Sequence, residues 1–230
     1  METDLTRLES ILGVVFANKT FLSTAVTHRS YLNENRDVTH DHNERLEFLG
    51  DAVLELVVTD YLFRMYPGKA EGELTAIRAA LVNTNMLSET SQRIGINDFM
   101  KLSRGEAKDT GRARQYILAN AFEALVGAMY MDQGYESAKA FIHRELLART
   151  DEIVQKKLWQ DPKSRFQEKG QELFGTTPTY RTMKEEGPDH DRTFTIGVYL
   201  GEEEVAQGMG RSKQEAEQAA AIKGLEAKGW

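Results

Sequence analysis

The chain has 230 residues, with 29 Lys and Arg against 36 Asp and Glu for a formal net charge of -7; 40% of it is hydrophobic and 28% charged. That is the composition of a folded protein with room for two modest domains, and the acidic balance alone argues against a polyanionic partner. With no cysteine, disulfides, thiolate-zinc sites and thiol nucleophiles are excluded, and no apolar run approaches the roughly 20 residues that cross a bilayer, so a cytoplasmic protein with no membrane partner is expected.

The first helix is expected over residues 3–12, where Leu5, Leu8, Ile11 and Leu12 recur at helical spacing and Thr3 or Asp4 can cap the start. A second is expected over 19–27, followed by a polar loop over 33–42. The run from His42 onward is apolar enough to be a buried helix and continues through Tyr61, Leu62 and Phe63 until Pro67-Gly68 stops it. After a polar loop containing Glu71, helices are expected over 73–83 and 86–94, and 101–114 reads as an exposed loop. Residues 116–130 form a second nearly all-apolar helix with Asn120 and Glu123 as its central polar side chains. A last amphipathic helix runs over 135–147 and can extend to Ile153.

Residues 155–162 read as a linker between a helical domain, 1–154, and a smaller domain, 163–230. The smaller domain has a helix over 163–174, three strand-like runs over 179–184, 192–200 and 204–209, and an Ala-rich helix. Ser212 and Glu215 make a capping box for that helix. The expected fold is mainly α, an all-helical domain followed by a small α+β unit of order α-β-β-β-α.

The chemistry sits on the two apolar helices. Glu44, Glu47 and Asp51, offset by 3, 4 and 7 residues, share one side of the first; Asn120 and Glu123 share a side of the second. Packed together, Glu47, Asp51, Asn120 and Glu123 offer four oxygen donors suited to Mg2+ or Mn2+, because desolvated carboxylates need cations or donors to offset their cost. Salt bridges or caps with Arg45, Arg78 or His42 are the plainer account of such acids. His40 and His42, in a polar loop without cysteine, are expected to face solvent rather than bind zinc.

The string Asn43-Glu44-Arg45-Leu46-Glu47-Phe48-Leu49-Gly50-Asp51 resembles the signature of the ribonuclease III family. The blocks Thr27-His28-Arg29-Ser30-Tyr31, Glu71-Gly72-Glu73, Arg78 through Asn83 and Ile117 through Glu123 resemble further family blocks in family order, as in the bacterial two-domain form. The resemblance implies a homodimeric endonuclease that cuts double-stranded RNA with Mg2+ (Mn2+ can substitute) and water, without an organic cofactor. It implies products with 5'-phosphate and 3'-hydroxyl ends and short 3' overhangs, and a part in rRNA and mRNA processing. By position, Asp51, Glu123, Glu44 and Glu71 match catalytic acids, Glu47, Asp51, Asn120 and Glu123 the metal site, and Phe48 a dimer contact.

Asn120 departs from the pattern, since the family often has Asp there; an uncharged amide can still ligate, with weaker binding expected. A double-stranded RNA-binding protein that has lost cleavage is therefore the alternative, and a helical metalloenzyme acting on small phosphates a more distant one. The second domain resembles a double-stranded RNA-binding domain, which implies RNA contacts at Gln167 and Glu168, at the 187–190 loop including His190, and at Arg211, Ser212 and Lys213. With ten Lys and Arg against thirteen Asp and Glu in 161–230, a local basic face is expected rather than a basic domain.

Overall fold

The computed structural model describes residues 4–188 and 192–230. The chain divides into two compact units, Met1–Trp159 and Gln160–Trp230. Among the described residues, no helix is long and apolar enough to cross a membrane.

The first unit is helical. Helices α1 (Leu5–Leu12) and α2 (Lys19–Ala25) are capped by Asp4 and Asn18 side chains accepting from Arg7 and Thr20 amides; Thr3, the other candidate cap, lies outside the described residues. Before the loop expected over 33–42, and taking its first two residues, α3 (Arg29–Glu34) forms one short turn-and-a-half, started by His28, whose ring accepts from the Ser30 amide. Its brevity left no apolar repeat to read. Helix α4 (Glu44–Met65) carries the acidic signature, and α5 (Glu71–Val82) starts two residues earlier than expected. Glu71 is therefore the first residue of a helix rather than part of a loop. Glu73 reaches back to the Ala70 amide and fixes that start.

Helix α6 (Thr84–Arg93) and a 3-10 turn at Ile96–Phe99 follow. The expected exposed loop over 101–114 contains a second 3-10 turn, Glu106–Lys108, and gives its last residues to α7 (Arg112–Gln133). Arg114 bonds to the Asp109 and Glu106 carbonyls and the Asn97 side chain, which carries the helix four residues beyond its apolar run. The expected last helix is broken into α8 (Tyr135–Glu145), a 3-10 turn at Leu147–Arg149, and α9 (Thr150–Gln155).

Helices α4 and α7 form the spine of this unit. Both are apolar nearly all round, as buried helices must be, and Leu54, Val58, Phe122, Leu125 and Ala128 are fully enclosed. Their closest approach is at two glycines. A methyl built on Gly50 would overlap the Glu123 carbonyl, and one on Gly127 would overlap the Leu46 carbonyl. Neither backbone can retreat without opening the core.

The second unit has α10 (Pro162–Phe174), capped by Asp161, then an antiparallel sheet of order β1 (Thr179–Glu186), β2 (Thr193–Leu200), β3 (Glu203–Gly210), then α11 (Lys213–Lys228). Phe166, Val198, Leu200, Ala220, Ala221 and Leu225 form its core. The alanines of α11 are needed because β3 meets it through Gly208 and Gly210, where added methyls would strike the backbone at Ala216 and Ala220. One arm of the expected capping box is present, Ser212 accepting from the Glu215 amide at 3.1 Å; the other is displaced by one residue, Glu215 accepting at 2.9 Å from the amide of Arg211 rather than of Ser212.

Gly50→Ala and Gly127→Ala are each expected to destabilise the chain by about 3 kcal/mol or more, at the upper end of overpacking costs, because the obstacle is backbone. Urea unfolding of each variant measures this; an unchanged midpoint for Gly50→Ala contradicts the close crossing.

Candidate active site and RNA-binding face

The glycine crossing sets the site. It brings Glu47 and Asp51, one turn apart on α4, against Asn120 and Glu123 on α7. Glu123 feels the charges of both Asp51 and Glu47, and burial together with those two charges pushes its carboxyl up to about 8. Glu47 is also raised, first by burial and then by Glu44, with a hydrogen bond from the Asn120 side chain opposing the rise and Asp51 adding to it. Among the described residues no Lys, Arg or His pairs with Glu47, Asp51 or Glu123.

Glu44 is different. It stands at the exposed start of α4, 3.2 Å from Arg29 and 3.8 Å from His42. The salt-bridge account holds for this acid, through Arg29 and the expected His42 rather than Arg45. Arg78 serves Glu55 and Thr59 instead. Glu71 does not join the cluster within this chain: it accepts from Thr75 and lines a cavity of about 400 Å³ with Thr59, Lys69 and Arg78.

His40 and His42 are half-buried, contrary to the expectation that they face solvent. His40 bonds to Ser23, and both line a cavity of about 690 Å³ with Phe21, Leu46, Phe48 and Met131. At its rim Phe48 is 82% exposed, an unusual state for an aromatic ring in the middle of an apolar motif.

The start of α4 is held by residues whose role periodicity could not disclose. The Asn43 amide donates to the Thr27 carbonyl, the Lys101 amide to Val26, and the His28 amide to Lys101. The resembling block Thr27 through Tyr31 is thus a seam between α2, α4 and the 101–109 segment, and Arg29 projects from it to Glu44. Gly50, inside the signature, and Gly127 were likewise without an assigned role; a glycine three residues after Glu47 and another four after Glu123, on two apolar helices, are the only trace they leave.

The donor set fits a hard divalent cation: three carboxylates without cationic partners and a carboxamide, in a partly desolvated place. As they stand, no three His, Asp or Glu side chains among the described residues are gathered closely enough to hold an ion.

In the second unit, Gln167 and Glu168 are exposed on α10, and Arg211, Ser212 and Lys213 are exposed at the start of α11. Ser212 is already committed as the cap. Most cations of this unit pair with acids, among them Lys163 with Glu217, Arg181 with Glu202 and Lys228 with Glu203. Arg211 and Lys213 have no ion-pair partner among the described residues, and Lys213 lies 5.7 Å over the Phe194 ring. Of the 187–190 loop, Asp189 and His190 lie outside the described residues.

The sequence matches the Ribonuclease-III-like family over residues 18–150, more than half of the chain, and the double-stranded RNA binding motif over 162–228. The chain belongs to the ribonuclease III family. A "Ribonuclease 3" of Bdellovibrio bacteriovorus is 45% identical over 222 residues, covering 96% of this chain and 94% of the relative. One from Streptococcus agalactiae is 42% identical over 219 residues, covering 95% and 96%. Among solved structures, the nuclease domain of ribonuclease III from Campylobacter jejuni, described as flexible in a region involved in dimer formation, is 39% identical with a TM-score of 0.56, covering 61% of this chain and 94% of that one. Ribonuclease III membership makes the chain an endoribonuclease of double-stranded RNA, and the family uses a divalent metal.

The raised Glu123 carboxyl gives this ribonuclease III a pH signature. The fold holds a proton to about 8 that the unfolded chain releases near 4.5, so the metal-free native state loses stability as pH rises through that window. Thermal melting of the metal-free protein is expected to fall from pH 5 to 8, and Glu123→Gln to flatten that slope; parallel slopes for the two proteins count against the buried cluster.

Proposed function

We propose that Glu47, Asp51, Asn120 and Glu123 form one hydrolytic site per chain, with Glu44 as an accessory acid, and that two chains act together on one RNA duplex. The observation that carries this reading is the cluster of carboxylates left without cations, with Glu123 lifted to about 8. Glu47, Asp51, Asn120 and Glu123 would hold a bound Mg2+ or Mn2+, which would supply Lewis acidity toward the phosphate and an activated water; water attack at phosphorus with breakage of the P–O3' bond leaves 5'-phosphate and 3'-hydroxyl ends, the 3' oxygen departing with a proton. The chain's own part is to fix the acids across the helix crossing, to keep water partly excluded, and to hold a proton at Glu123 that a cation displaces.

A homodimer is supported by Phe48, an exposed ring beside an apolar-walled cavity on the same helix as the acids. Such a pairing puts two sites on one duplex and accounts for cuts on opposite strands with short 3' overhangs. Glu71 belongs to this proposal only as an acid outside the cluster of its own chain.

Binding is assigned to Arg211 and Lys213, cations without an ion-pair partner among the described residues, where the α11 N-terminus already favours phosphate, with Gln167 and Glu168 on α10 facing 2'-hydroxyls. Part of the unit's acidic balance falls on acids paired with other cations, such as Glu202, Glu203 and Glu217. Structured rRNA and mRNA precursors are the substrates this implies.

The reading is tested by incubating a duplex RNA with the protein and Mg2+ or Mn2+. Cleavage is expected, and Glu123→Ala is expected to abolish it while duplex binding persists. Binding without cleavage in the parent protein, not rescued by Asn120→Asp, favours instead a binding protein that has lost catalysis. RNA affinity is expected to fall steeply with salt, and Arg211→Ala or Lys213→Ala each to lower the slope of log K against log salt by about one; a flat dependence contradicts phosphate contacts. Phe48→Ala is expected to weaken dimerisation about thirtyfold or more, the loss of a central aromatic anchor, as measured by sedimentation; an unchanged dimer moves the interface elsewhere.

A further inference from the structure

Two hydrogen-bonded runs start at Thr27 and His28, and they lead to the starts of both acid-bearing helices. Along the backbone, the Thr27 carbonyl takes the Asn43 amide at 2.9 Å, one residue ahead of α4, and the His28 amide donates to the Lys101 carbonyl at 3.1 Å. From the side chain, the His28 ring Nδ1 accepts from the Ser30 amide at 3.3 Å and stands 2.8 Å from the Ser30 hydroxyl. That hydroxyl accepts from the Ser103 amide at 3.1 Å, which leaves its own proton to go to Nδ1. The Ser103 hydroxyl in turn accepts from the Glu106 amide at 3.2 Å. The Glu106 carbonyl accepts at 2.8 Å from the guanidinium of Arg114, in the first turn of α7.

Every link of the side-chain run donates toward His28, and the run ends on a ring nitrogen that must offer a lone pair. Nδ1 is therefore bare, and the proton of the neutral ring sits on Nε2. A protonated ring has no lone pair and sets an N–H against the Ser30 amide. Burial holds the ring's proton affinity below the ordinary histidine range, against the pull of Glu106 and then Glu44, with Arg29 and His42 adding to the fall. Those four groups face it from the Glu106–Lys108 turn, α4, α3 and the stretch before α4.

We infer that His28 is a positioning residue for the hydrolytic site: its neutral ring ties the start of α7 to the seam that starts α4, and protonation of the ring releases the tie. Glu47 and Asp51 lie four and eight residues beyond Asn43, and Asn120 and Glu123 six and nine beyond Arg114. The glycine crossing holds the two helices together along their length, and this tie holds their ends. His28 acts through Ser30, Ser103 and Arg114 rather than on the reacting atoms. The part that concerns cleavage rests on the proposed hydrolytic reading, whereas the tie itself belongs to the metal-free protein.

The tie is read first in the unaltered, metal-free protein. Long-range 1H–15N spectra near neutral pH are expected to show His28 bare at Nδ1 and protonated at Nε2. Acidification is expected to shift the Ser103 and Glu106 amides with the same midpoint as the ring, below the 6.5 of a free histidine. His28→Ala is expected to speed hydrogen exchange of those two amides about tenfold, the upper end for one lost hydrogen bond. It is also expected to slow single-turnover duplex cleavage at saturating Mg2+ about tenfold, with RNA affinity unchanged, as misplaced catalytic groups do. His28→Asn can still accept from the Ser30 amide but does not titrate, so it is expected to recover most of both losses. Its cleavage rate relative to the parent's is expected to rise as pH falls below neutral, an effect that a merely structural cap does not produce. A neutral ring protonated at Nδ1, or Ser103 and Glu106 amides indifferent to acid and to His28→Ala, overturns the tie. Cleavage unchanged in His28→Ala while those amides are released overturns the positioning role. If the parent protein cleaves no duplex while the tie is seen, the functional reading fails and the tie stands.

Discussion

The crossing of α4 and α7 is the constraint on which the rest of the molecule depends. Two buried helices usually keep their axes 8–10 Å apart because side chains stand between them. Here Gly50 and Gly127 remove those side chains at the point of contact, and each backbone meets the other's carbonyl oxygens directly. The consequence is more than tight packing. Glu47 and Asp51 flank Gly50, and Glu123 lies one turn before Gly127, so the same contact that seals the core sets the distance between acids from two distant parts of the sequence. Seams around Thr27 and Asn43 fix where α4 begins and complete the frame.

Within that frame the treatment of buried charge is uneven. Glu9 is almost fully enclosed, yet Lys19 pairs with it and the Phe16 amide donates to it. Glu145 is equally enclosed and has both Arg93 and Arg144. The fold can evidently supply cations to buried acids, and does so where the acids are structural. At Glu47, Asp51 and Glu123 it supplies none among the described residues, and at Glu47 and Glu123 the cost appears as a raised affinity for protons. A site that costs stability when empty of cations is what a divalent-metal hydrolase requires, because the same repulsion becomes attraction once a cation is present.

Much of this was legible in the sequence. The apolar helices, the α-β-β-β-α order and the acids on facing sides could be read because each rests on a long period or a strong turn signal. What escaped was short or defined by contact. Helix α3 spans too few residues to show a repeat, the α7 start depends on Arg114 reaching carbonyls around it, and the break between α8 and α9 leaves apolar spacing nearly intact. The half-buried state of His40 follows from Ser23, a neighbour that no local pattern announces. Glu71 and Phe48 illustrate the further limit that a single chain holds only one face of an interface.

The wide separation of the two helices along the chain has a consequence during synthesis. Because domains fold from the N-terminus as they emerge, a partly made chain presents Glu47 and Asp51 long before α7 exists to oppose them. Such a chain has neither a closed core nor the acids of α7 opposite those of α4, since one contact produces both. A copy that misfolds at the crossing therefore loses the packing of α4 on α7 and the facing of their acids by the same fault.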